Sequence, residues 1–258
     1  MFGAAVTSTA LQHNGAGTIK VTGALITSGG TVISAGGTLN ALGAITGAVD
    51  NTSAGDGSGT LTLGDQIGVS GAIGTSNTLL AVNSDSTSGT TAFGNIVRAT
   101  SINLGGVGAT TAAGDLTGAV NMTATSGTPS LVVAADQKVV GAITFTTTNI
   151  NKVDFAATAN STTVVSAGIG AEGKIAKEIE VETTVGGSVV VTVGGDIWTS
   201  LLDIVSSHAA SIVSFTGDVN ATSITFNNAA AGVMKIADTK NITGVITTTN
   251  TNTGTLTA

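Results

Sequence analysis

The chain has 258 residues, 41% of them hydrophobic, which is enough for a core and excludes disorder by composition. Only 9% of residues are charged, and a net charge of −7 with 8 Lys+Arg leaves no basic surface for nucleic acid or acidic membranes. Cysteine is absent, which removes disulfides and thiolate metal sites, while glycine (37) and threonine (46) are over-used.

At the N-terminus, residues 2–17 (FGAAVTSTALQHNGAG) contain neither a basic n-region nor an apolar run of secretory length. An exported form is therefore expected to start inside a larger precursor. No window approaches ~18 uninterrupted apolar residues, the length of a membrane-spanning helix.

From there a phrase recurs. Marked by its glycine it reads VTGALI at Gly23, ITGAVD at Gly47, VSGAIG at Gly71, AFGNIV at Gly94, LTGAVN at Gly118 and VVGAIT at Gly141. Weaker copies follow at Gly168 and Gly195, then FTGDVN at Gly217 and ITGVIT at Gly244. The spacing predicts a period of about 24 residues. Between these marks lie second runs such as TLNALG from Thr38, TLTLGD from Thr60, SINLGG from Ser101 and SITFNN from Ser223. Each period thus carries at least two short β-branched, apolar segments bounded by Gly, Asn, Asp and Ser. Propeller blades need longer repeats, and the fixed Leu and Asn spacing of leucine-rich repeats is missing. The expected fold is all-β, a parallel β-helix (β-solenoid) of about ten coils forming a single domain over 1–258.

Within NITGVITTT, Ile242, Val245 and Thr247 are expected to alternate inward and outward around Gly244, with threonines stacked on the surface. Asn220, Asn241, Asn250 and Asn252 suit turns or a stack of amides. The rhythm is disturbed at 171–183, AEGKIAKEIEVET, which gathers six charges. A charged excursion is expected there. Its side chains Glu172, Lys174, Lys177, Glu178, Glu180 and Glu182 are the candidate partner-contact loop. Ile197, Leu201, Val205 and Ile212 fall near helical spacing, but apolar strands are the favoured reading.

Residues 168–175, GIGAEGKI, match the glycines and lysine of a phosphate loop, yet Ile175 stands where Ser or Thr would bind magnesium. Asp56 and Asp65 flank a stretch similar to a calcium-binding glycine-rich nonapeptide, in which Thr60 replaces a ligating aspartate. His13 and His208 lie about eight coils apart on this fold, too far to share a metal. There is no GxSxG elbow and only one arginine, Arg98, and carboxylate pairs do not recur at the coil period. No catalytic residue, cofactor or metal site is therefore expected.

Residues 43–50 (GAITGAVD), 139–149 (VVGAITFTTTN) and 241–258 (NITGVITTTNTNTGTLTA) resemble the passenger repeats of the rickettsial surface cell antigen autotransporters, in particular the outer membrane protein B group. That resemblance implies a non-enzymatic passenger displayed at the bacterial outer membrane as a surface layer or adhesin. The family's signal peptide and membrane barrel are not among these residues, which implies a passenger segment. Expected partners are other coils or copies at the solenoid ends and a host-surface protein, with no direct membrane insertion. A phage tail-spike or fibre segment, or a carbohydrate-active β-helix enzyme, are the alternatives.

Overall fold

A computed structural model describes residues 1–51, 57–158, 160–183, 189–206, 211–227, 232–249 and 254–257. The chain is a β-solenoid: its strands pair in parallel, turns are stacked about 22 residues apart, about ten in all, and the described residues form no helix. Two compact units are present, Met1–Ala124 and Thr125–Ala258.

In the first unit two strand ladders run from turn to turn, and the opening turns carry a third strand run. One ladder stacks Val6–Ser8, Leu25–Thr27, Ile45–Thr46, Gly68–Val69, Thr90–Phe93 and Ala109–Ala112. A second stacks Thr18–Val21, Thr38–Ala41, Ser58–Leu63, Leu79–Asp85, Val97–Gly105 and Leu116–Met122. The third starts with Leu11–His13, Thr31–Ile33 and Val49–Asn51, and continues through the pairing of Val49 with Ile73 and of Ile73 with Val97. This third run escapes a sequence search because three residues are too few to show a period.

The second unit repeats the plan. Its best-formed ladder stacks Ser130–Val133, Lys152–Ala157, Ala176–Thr183, Ile197–Ser206, Val219–Phe226 and Ile242–Thr248. Beside it lie Lys138–Val140, Thr162–Val165, Val190–Val193, Ile212–Phe215, Val233–Ile236 and Thr255–Thr257. Of the residues near helical spacing, Ile197, Leu201 and Val205 thus lie on the long strand Ile197–Ser206 and Ile212 on Ile212–Phe215, as their β-branched content favours.

Strict alternation builds the core. In Lys152–Ala157, Val153, Phe155 and Ala157 are buried and the intervening side chains half-buried. Equivalent residues stack from turn to turn: Leu39 on Leu61, Val82 and Ile102 in the first unit, Val153 on Ile179, Leu202 and Ile224 in the second. Each such aliphatic side chain contributes about 1.5–3 kcal/mol of transfer free energy on burial.

Glycine occupies the corners for two reasons. At Gly118 and Gly244 φ is +131° and +141°, and both lie where the ladder register slips by a residue, between Arg98 and Ser101 and between Asn220 and Ser223. Elsewhere the neighbouring turn leaves no room: a Cβ at Gly195 would sit 2.6 Å from the Gly168 nitrogen, and one at Gly217 would overlap the Gly195 backbone. The weak repeat marks Gly168 and Gly195 therefore belong to one glycine stack. The sequence ruler misplaces others, since Gly23 lies under Gly43 rather than Gly47, and Gly94 packs against Ser70 rather than Gly71. Turn length varies from the 18-residue step Ser101↔Ala119 to the 28-residue step Thr162↔Val190.

In the outermost strand of the second unit, Ile246 is in register with core residue Ile224, and Val245 is in register with outward-facing Ser223. Val245 therefore points outward, 64% exposed, while Ile242 is in register with buried Val219, as alternation over three residues requires. The register slip is taken up by the neighbouring strand, where Ala221 and Thr222 together oppose Gly244, so alternation along Ile242–Thr248 is kept. Asn241 donates its backbone N–H to Asp218 at 3.0 Å, a turn contact, while Asn250 and Asn252 lie outside the described residues. The amide stack occurs elsewhere, along Asn83, Asn103 and Asn121, with both Nδ2–H to Oδ1 bonds at 2.8 Å.

Candidate functional site

The charged stretch 171–183 divides into two parts. Ala171 and Lys174 exchange backbone hydrogen bonds of 3.1 and 2.9 Å across a tight turn that exposes Glu172 and Lys174. From Ala176 the chain is a strand, not a loop. Glu178, Glu180 and Glu182 alternate with buried Ile179 and Val181, and this period of two seats the strand in its ladder. Lys177 is exposed, and the three glutamates are half-buried on the outward face. The same turn disposes of the phosphate-loop resemblance: a strand rather than a helix follows Lys174, so no helix N-terminus faces a phosphate.

Register then brings in residues that sequence reading passes over. Lys152 pairs with Glu178, Asp154 with Glu180, and Glu180 with Asp203 of the next turn. Lys152 Nζ lies 3.4 Å from Glu178 Oε1 and also engages Glu180 Oε2. Burial disfavours its charge, but the Glu180 hydrogen bond and the negative charges of Glu178, Glu180 and Asp154 outweigh this and raise its pKa. Asp154 is pushed up from 3.8 to about 6, by burial first and then by the charge of Glu180. Asp203 is raised too, by burial and then by Glu180 and Glu178, against a hydrogen bond from Asn227. One lysine thus serves a strip of five carboxylates. The signal was present as KVD at 152–154 and LLD at 201–203, but these lie one turn either side of the glutamates and only the register joins them.

Other aspartates are corner staples. Asp65 accepts the backbone N–H of Thr87 (2.8 Å) and Ser88 (3.2 Å) through Oδ1 and the Ser88 hydroxyl through Oδ2 (2.8 Å). The Ser88 hydroxyl is the main cause of its pKa falling to about 2, with the Thr87 and Ser88 amides adding to the effect. Its oxygens are thus directed at the next turn, and Asp56, the other calcium candidate, lies outside the described residues. Asp50 clasps the amides of Ser76 and Asn77, both at 2.9 Å, in the same manner.

His13 is buried at a turn, with Nε2 2.8 Å from the Gly17 carbonyl, and His208 lies outside the described residues. Trp198 is half-buried beside Thr199, Asn220, Ala221 and Thr243 in a shallow groove. Among the described residues no group of three His, Cys, Asp or Glu is arranged to hold a metal ion. None of their helices is long and apolar enough to cross a membrane, which leaves β-barrels unaddressed.

The fold places the chain in the class of β-solenoid repeat proteins. Comparison with known protein families, curated proteins and solved structures returns no match.

Proposed function

We propose that this chain is a non-enzymatic bacterial cell-surface segment, an autotransporter-type passenger that contributes to a surface layer or to host-cell attachment. The observation that carries the reading is the outward ladder of small uncharged side chains. Thr38 stacks on Thr60, the three asparagines bond in series, and Thr225 Oγ1 lies 3.3 Å from Thr247 Oγ1. Such a wall is stiffened by its own hydrogen bonds and presents area rather than a cleft, which suits spacing or tiling. The outermost ladder strands add a second support. Ile246 and Leu256 are in register with core residues yet 44% and 45% exposed, so a further coil or a second copy can continue the stack. The turn carrying Glu172 and Lys174 remains the proposed contact with a host protein.

Antibodies raised against the purified chain test this directly on the source cells. The reading expects labelling of intact cells, removed by mild external protease. Labelling only after permeabilisation overturns it.

A further inference from the structure

Asp154, Glu180 and Asp203 stand in one column across three consecutive turns. Neighbouring parallel strands lie about 4.8 Å apart, so Glu180 has a like charge on each side. The column continues to Val132 at one end and to Thr225 and Thr247 at the other, so neither end supplies a cation. Lys152 stands one position along the strand and engages Glu178 and Glu180, while Glu182 adds a further negative charge beside the column. The adjoining strands Ser130–Val133, Thr162–Val165 and Val219–Phe226 contain no titratable side chain, and Lys177 is exposed on its own strand. Asp154 Oδ1 and Asp203 Oδ1 are both covered and accept no hydrogen bond among the described residues. A proton on one carboxyl removes a repulsion and also creates an O–H donor beside an oxygen that lacks one.

We infer that this column is a proton-operated clasp, which locks three turns of the second unit together in mildly acid solution and loosens them near neutrality. The inference stands on the column itself and is independent of the surface reading. Its direction follows from linkage. A carboxyl whose folded-state pKa is raised from 3.8 to about 6, as at Asp154, binds protons in the folded chain before the unfolded one does. Stability therefore rises as pH falls from about 7 towards about 4, opposite to the usual acid response of a salt-bridged carboxylate.

Hydrogen exchange of the full chain, read by mass spectrometry and corrected for intrinsic rates, tests this at about pH 7.5 and about pH 5. Amides in Lys152–Ala157, Ala176–Thr183 and Ile197–Ser206 are expected to open roughly three- to tenfold less often at the lower pH, with Thr38–Ala41 as the unchanged reference. Asp154→Asn, and separately Glu180→Gln, should raise protection at the higher pH and flatten the dependence. Equal or weaker protection at the lower pH overturns the clasp. So does a variant that keeps the full pH dependence, or a matching change in the reference strand.

Discussion

Gly71 illustrates how little freedom a single position has in this fold. An added Cβ would collide with the Gly47 carbonyl, a backbone group held by the turn beneath. Gly71→Ala is therefore predicted to destabilise by about 2–4 kcal/mol, because the clash cannot be relieved by rotating a side chain. Thermal unfolding followed by circular dichroism should show a midpoint roughly 5–15 °C lower. Gly17→Ala is the matched control, since a Cβ there meets nothing within 4 Å, and its midpoint should be close to that of the parent chain. The aspartates carry a similar lesson. Asp50 and Asp65 are isolated acids in the sequence, yet each binds backbone amides of the following turn, so their role is to fix corners.

At the scale of the strand, two columns dominate the outward faces. Asn103 is the middle of three stacked amides, donating to Asn83 and accepting from Asn121. Asn103→Ala removes both bonds and is expected to cost about 1–2 kcal/mol in chemical denaturation, with the slope on denaturant unchanged. Lys152 is the counterpart in the charged column. Lys152→Met should destabilise at about pH 7.5 by about 1 kcal/mol after allowance for solvent screening, since it leaves Glu178 and Glu180 without their ammonium. Much of that loss should be recovered at about pH 5, because protonation at Asp154 then lowers the same repulsion. Denaturation midpoints of both chains at the two pH values check the sign. The strands themselves were legible from sequence, because alternation in runs such as Ser58–Leu63 is a local property. The column was not. Lys152, Glu178 and Leu201 are separated by unequal turns, and a period of 24 assigns each of them the wrong neighbour. The slip beside Gly244 was hidden for a related reason: Val245 obeys the alternation of its own strand, and the extra residue lies one turn earlier, where Ala221 and Thr222 oppose Gly244.

For the molecule as a whole, the repeated glycine phrase explains why function is so hard to locate in the sequence. The phrase marks corners, where Gly118 and Gly244 adopt positive φ and Gly217 packs against the turn below, so its conservation of wording within the chain reports geometry alone. Both the proposed surface role and the clasp depend on one claim, that turns about 22 residues apart are stacked in parallel register. The absence of cysteine allows that claim to be tested without background. Thr192→Cys combined with Ser214→Cys places two thiols on directly paired, half-buried outward positions, within reach of a disulfide. Thr192→Cys with Ile212→Cys offsets the second thiol by two residues, to a Cα separation of about 8 Å, beyond that reach. Gentle oxidation of the purified monomer, read by peptide mass spectrometry, should bridge the first pair and leave the second free. Bridging of the offset pair in preference to the registered one would contradict the stacking on which the whole account rests.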